Sequence, residues 1–228
     1  MLGSTPVMKG EERSKSMIQI NHLTKVYGKE MVLQNIDIHF DKGTIYGLVG
    51  PNGCGKTTLM RCICGFARPT SGNVAVLGKV IGRDVDFAPS TGIIIETPGF
   101  LHHYSAYRNL AILAGISGKV SNERIREILG MVGLNASESK PVGKYSLGMR
   151  QRLGIAQAIM EDPQVLILDE PFNGLDKDGV QDIHELLQHQ KAQGKTIILA
   201  SHSAADIKQA CDLVYEMHHG ALHLSDVV

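Results

Sequence analysis

The chain has 228 residues, with 23 Lys plus Arg against 23 Asp plus Glu, so its formal net charge is zero and composition gives no argument for a nucleic-acid surface. That length holds one large domain, or a domain with a subdomain, and is too short for two large ones. The longest apolar runs, around Ile93 to Ile95, Val165 to Leu168 and Ile197 to Ala200, fall far short of the ~20 residues that cross a bilayer.

Residues 1–16 are polar and carry neither apolar periodicity nor a secretory apolar segment. They read as a disordered leader or a vector-derived remnant, and the remainder, 17–228, as a cytoplasmic domain. The first strand is predicted at Ile18 to Leu23, followed by Tyr27, an aromatic able to stack on an adenine ring. Val32 to Phe40 alternates apolar and polar residues as a half-buried antiparallel strand does, and Asp41-Lys42-Gly43 turns it.

Ile45 to Leu59, IYGLVGPNGCGKTTL, then runs from an apolar strand through a glycine-rich loop into a helix. Gly50, Gly55, Lys56 and Thr57 fit G-x-x-x-x-G-K-[ST], the pattern of a phosphate-binding loop. Glycines let backbone N–H groups curl around phosphate oxygens. Lys56 supplies a point charge for the terminal phosphates, Thr57 a hydroxyl for Mg²⁺, and the helix its positive end. A nucleoside triphosphate is the expected ligand. Within this loop Cys54 lies beside Lys56, where a thiolate would be favoured, although the four cysteines (54, 62, 64 and 211) show no metal spacing and read first as small packing residues.

Further along, a turn at Arg68 to Gly72 precedes a strand at Asn73 to Leu77, and TGIIIETPGF reads as a strand ending at Glu96, broken by Pro98-Gly99. Residues 100 to 145 are helical in pattern. Ser105 is expected to cap a helix through about Ala114, and Ser121 one presenting Ile125, Ile128, Leu129 and Val132. Phe87, Phe100, Tyr104 and Tyr107 crowd here, either as a small core or as a docking groove. In YSLGMRQRLGI, Ser146 and Gly148 precede a helix to about Met160 and form a second anion-seeking helix end. VLIL at Val165 to Leu168 reads as a buried parallel strand delivering Asp169 to Mg²⁺ and Glu170 to an attacking water. After Asn173-Gly174-Leu175-Asp176 come a helix to about Gln190, a strand at Thr196 to Ala200 ending in Ser201-His202, and a hairpin about His218-His219-Gly220. His202 is placed to contact the terminal phosphate.

In this order the motifs resemble the ATPase subunit of ATP-binding cassette (ABC) transporters, over Ile18 to Asp226. GPNGCGKTT at Gly50 to Thr58 is similar to the Walker A motif, VLILDE at Val165 to Glu170 to Walker B, and YSLGMRQRLGIA at Tyr145 to Ala156 to the family signature. NGLD at Asn173 to Asp176 is similar to the D-loop, His202 to the switch histidine and Tyr27 to the adenine-stacking aromatic. The resemblance implies an α/β P-loop NTPase fold of the ABC type, a central mostly parallel sheet with an N-terminal antiparallel β-subdomain and a helical subdomain inserted at about residues 100–160.

It also implies residue roles. Tyr27, Gly50, Pro51, Asn52, Gly53, Cys54, Gly55, Lys56, Thr57 and Thr58 would hold ATP, with Ser146 and Gly148 closing the site of a second cassette in a head-to-tail homodimer or heterodimer. Thr57, Asp169 and Glu96 would hold Mg²⁺; Glu170, His202 and Lys56 would be catalytic. The partner implied is an integral membrane permease, through which the chain would sit peripherally on the inner face of the cell membrane, with no nucleic acid. Glu96 stands where most of the family has glutamine, as in exporters that resemble those of bacteriocin self-immunity and peptide-antibiotic resistance. An assembly factor without a permease is the alternative reading. A non-hydrolysing sensor is opposed by the presence of Lys56, Glu170 and His202.

Overall fold

In the computed structural model the residues described are 16–96 and 99–225. The leader expected at 1–16, apart from Ser16, lies outside them, as do Pro98 of the expected chain break and Asp226 at the end of the resemblance.

The chain opens with an antiparallel pair, β1 (Ser16–Tyr27) and β2 (Glu30–Asp41), each longer than its alternation predicts. The reason lies in register shifts around Leu23 and in the positive φ of His22 and Asn35, which break the period-2 pattern without ending the pairing. Tyr27 is consequently the last residue of β1 rather than a loop residue beyond it. After β3 (Ile45–Val49) and α1 (Lys56–Cys64), β4 (Ser71–Val76) and the short β5 (Lys79–Val80) complete a four-stranded sheet in the order β2-β1-β4-β5.

The second sheet, to which β3 belongs, resumes with β6 (Thr91–Ile94) and continues beyond three helices, α2 (Ala106–Ser117), α3 (Asn122–Met131) and α4 (Leu147–Ile159). There follow β7 (Val165–Asp169), α5 (Lys177–Ala192), β8 (Thr196–Ala200), α6 (Ala204–Ala210), β9 (Leu213–His218) and β10 (Ala221–Leu224). Its order is β10-β9-β3-β8-β7-β6, with all neighbours parallel except the β9–β10 hairpin. The strand read as ending at Glu96 stops at Ile94, which pairs with Leu168 near the end of β7.

Alternation along these strands divides the interior in two. Leu166, Leu168, Ile197 and Leu199 face a core shared with α2 to α6, including Ile125, Ile128, Leu129 and Val132 of the second predicted helix and its C-cap. Val165, Ile167, Ile198 and Leu48 face the other way, onto α1 and the inner residues of the antiparallel sheet such as Ile18, Leu33 and Phe40. Both faces of β7 and β8 are therefore covered, which explains their uninterrupted apolar sequence. At Gly92 of β6 the helix α4 comes so close that a Cβ would lie 1.9 Å from the Ala158 carbonyl oxygen.

The crowded aromatics do not act as one group. Phe100 is buried and Tyr107 packs on the helical core, whereas Phe87 is exposed and stacks edge-on against exposed Phe66, and Tyr104 is partly exposed against Arg108. All four cysteines are buried, in keeping with packing roles.

Candidate functional site

β3 ends at the first loop glycine, and Gly50, Gly53 and Gly55 adopt φ of 151°, 80° and 115°. The loop is wedged as well as bent: a side chain at Gly50 would approach the Met217 carbonyl oxygen to 2.3 Å. A further clasp comes from the β9–β10 turn, where Gly220 N donates to the Cys54 carbonyl at 3.1 Å. Helix α1 follows with Gly55 as an N-cap that lacks a side-chain bond, and with no acidic residue in the first turn. Its first N–H groups are left for an external anion. Lys56 is buried and its Nζ donates to the carbonyls of Gly50 at 2.6 Å and Pro51 at 3.2 Å, 3.8 Å from the buried Cys54 Sγ.

The neighbouring strand ends supply the acids. Thr57 Oγ1 donates to Asp169 Oδ2 at 2.8 Å, joining the start of α1 to the end of β7. Burial raises the Asp169 pKa, the Thr57 bond opposes this, and the nearby Glu170 and Glu96 carboxylates add to it while Lys56 subtracts. Such a hydroxyl and carboxylate suit a hard divalent cation. Among the described residues no three His, Cys, Asp or Glu side chains form a ligand cluster. Mg²⁺ takes one or two protein oxygens and completes its octahedron with phosphates and water.

Glu170 turns out of β7 with φ of 50°, a left-handed conformation that costs a non-glycine residue about 1–3 kcal/mol. The turn brings its carboxylate over the end of β8. There Oε2 accepts from Ser201 Oγ at 3.1 Å and lies 2.9 Å from His202 Nδ1, and Oε1 accepts from His202 N at 2.9 Å.

The structure thus gathers Lys56, Thr57, Asp169, Glu170 and His202 at one end of the sheet. Glu96 sits near them with φ of 62°, but its carboxylate is held by Arg61 at 2.6 Å rather than turned to Asp169. Tyr27 is half exposed, with Lys25 Nζ 4.5 Å from its ring centroid. Pro51, Asn52 and Gly53 are exposed at the loop tip, and Thr58 lies in the first turn of α1. Ser146 and Gly148 stand apart. Ser146 is exposed and caps α4 by accepting from Met149 N at 3.1 Å, and no hydrogen bond joins either residue to the phosphate loop among the described residues.

Three neighbours were not singled out from sequence. Arg61 lies one turn beyond Thr57 on the same helix face, a signal that i, i+4 spacing could have given. Gln151 Nε2 donates to the Glu170 carbonyl at 3.1 Å, and with Leu147, Arg150, Glu96 and Asp169 lines a cavity of 220 Å³. Ser201 has no sequence signal beyond its place before His202.

A family model described as ABC transporter matches residues 33–173. An uncharacterized ABC transporter ATP-binding protein of Bacillus subtilis (strain 168), YybJ, is 46% identical over 212 residues, covering 93% of this chain and 97% of that protein. The bacitracin transport ATP-binding protein BcrA of Enterococcus faecalis is 44% identical over 208 residues, 90% of this chain and 68% of that protein. The lantibiotic transport ATP-binding protein SrtF of Streptococcus pyogenes is 38% identical, over 91% and 90% of the two chains. Among solved structures, an ATP-binding subunit of an ABC transporter superposes with a TM-score of 0.82 at 27% identity, over 92% of this chain and 91% of the other.

Proposed function

The chain belongs to the ABC transporter family as an ATP-binding subunit, and from that premise we propose residue roles, an assembly and a cargo class. ABC ATPases hydrolyse ATP with Mg²⁺, so the question is how these side chains would do it. The loop from Gly50 to Thr58 wraps the phosphates with backbone N–H groups, and Lys56 exchanges its carbonyl partners for phosphate oxygens. Tyr27 offers the exposed face of its ring to the adenine. Mg²⁺ held by Thr57 and Asp169, with Glu96 at its edge, would offset charge developing on the phosphates. Glu170 orients water for in-line attack on the γ-phosphate and draws its proton. His202 holds Glu170 and reaches the terminal phosphate.

The observation that carries this reading is the 2.8 Å bond between Thr57 and Asp169, which sets a hydroxyl and a carboxylate together between a phosphate loop and a catalytic glutamate. The separation of Ser146 and Gly148 from that loop favours their use in trans, at the γ-phosphate of a second cassette in a head-to-tail dimer. No helix among the described residues is long and apolar enough to cross a membrane, and membrane association comes through a permease on the cytoplasmic side. The helical segment at about 100–160 acts as a subdomain that passes motion to that permease. A peptide antibiotic is the favoured cargo, on the bacitracin and lantibiotic transport relatives and on Glu96.

The test is light scattering of Glu170→Gln with and without ATP and Mg²⁺. Removing the base leaves binding intact, so an ATP-dependent dimer with turnover lowered by about 10² to 10³ is expected. An unchanged hydrolysis rate would refute the role of Glu170, and a monomer at saturating ATP would refute self-pairing.

A further inference from the structure

The carboxylate of Glu170 has two neighbours just beyond β8, His202 and Ser201. Ser201 is 2% exposed. β8 lies between β3 and β7, and its pairing runs on past its last residue. Glu170 N donates to the Ala200 carbonyl at 2.8 Å on one side, and Ser201 N to the Leu48 carbonyl at 3.4 Å on the other. The backbone of Ser201 is thereby fixed between the strand that carries the phosphate loop and the strand that carries the Glu170 carboxylate.

Its hydroxyl is fixed too. Ser203 N donates to Ser201 Oγ at 3.1 Å, which occupies a lone pair and leaves the hydroxyl proton directed to Glu170 Oε2, also at 3.1 Å. His202 has a ring that is largely exposed and able to turn away toward a phosphate. Ser201 cannot leave. We propose that Ser201 is a positioning residue for ATP hydrolysis: it holds the Glu170 carboxylate in its attack orientation during the interval when His202 is engaged with the γ-phosphate. The proposal rests on the reading of Glu170 as the residue that orients water.

The experiment compares Ser201→Ala, Ser201→Thr and Ser203→Ala with wild type and with Glu170→Gln, in the assembly that hydrolyses ATP. It measures kcat at saturating Mg-ATP, affinity for a fluorescent trinitrophenyl-ATP, and thermal stability. Ser201→Ala is expected to lower kcat roughly 10-fold, the lower end of what a hydrogen bond to a charged group carries, with nucleotide affinity within about twofold of wild type. Ser201→Thr, which keeps the hydroxyl, is expected to restore most of the rate. Ser203→Ala loses the N-cap of α6 and with it some stability, but keeps the rate. Wild-type kcat in Ser201→Ala overturns the proposal, as does a parallel loss of kcat, affinity and stability, or a failure of Thr to rescue. If instead Glu170→Gln hydrolyses ATP normally, the premise about Glu170 is what fails.

Discussion

Gly92→Ala is the smallest change with the largest expected reach. Gly92 sits on β6 where α4 crosses, and its added Cβ would lie 1.9 Å from the Ala158 carbonyl oxygen, about 1.4 Å inside the ~3.3 Å at which carbon and carbonyl oxygen ordinarily touch. The obstruction is backbone, so no rotamer relieves it. Either β6 or the whole of α4 must move, and overpacking of this kind costs roughly 1–3 kcal/mol. Ser146 lies at the far end of α4, about 18 Å away along the helix axis, so a displacement at Ala158 tilts the end proposed to meet the second nucleotide. Urea unfolding followed by circular dichroism measures the stability term directly. Gly115→Ala is the control, since Gly115 lies in α2 with nothing within 4 Å of its would-be Cβ; it should gain about 0.5–1 kcal/mol from helix propensity. If Gly92→Ala unfolds at the wild-type midpoint, the close seating of α4 on β6 is refuted.

Two further outcomes follow from groups near the site. Removing the guanidinium in Arg61→Leu frees Glu96 beside Asp169, so nucleotide binding without Mg²⁺ should weaken by up to about fivefold, within the range of an exposed ion pair. In titrations with and without Mg²⁺, Glu96→Gln in the same chain should abolish that loss; an equal loss in the double variant would show that Arg61 acts otherwise. His184 is buried against Phe172 with neither ring nitrogen hydrogen-bonded among the described residues, and burial, opposed by Asp206, lowers its pKa from 6.5. The unfolded chain therefore takes up the proton first, so stability is complete above pH 6.5 and declines as pH falls through that value. His184→Phe should flatten the decline in denaturation midpoints between pH 7.5 and pH 5.5, on the ordinary histidine range; an unchanged slope would exclude His184 as its source.

What the sequence disclosed were features written in consecutive residues. The phosphate loop needs glycines and a lysine at fixed offsets, Ser105 and Ser121 announce the helices they cap, and an unbroken apolar run marks a strand covered on both faces. The bulges in β1 and β2 hid the true length of that hairpin, because a register shift exchanges the inward and outward faces. Sequence marks Glu96 as a carboxylate near a metal, yet its pairing with Arg61 depends on how α1 lies beside the end of β6. Ser201 was less legible still: a serine before a histidine gains meaning only when two strands distant in sequence end side by side.

The core beneath α2, α3 and α4 is the same core that lines one face of the parallel strands. Among the described residues, one continuous cluster of buried side chains joins the helical segment to the sheet. If ATP moves the segment in the proposed way, shared packing of this kind predicts sliding among interlocked side chains rather than a free hinge. A cassette so constructed would transmit its stroke stiffly, with little slack between the nucleotide and the surface that moves.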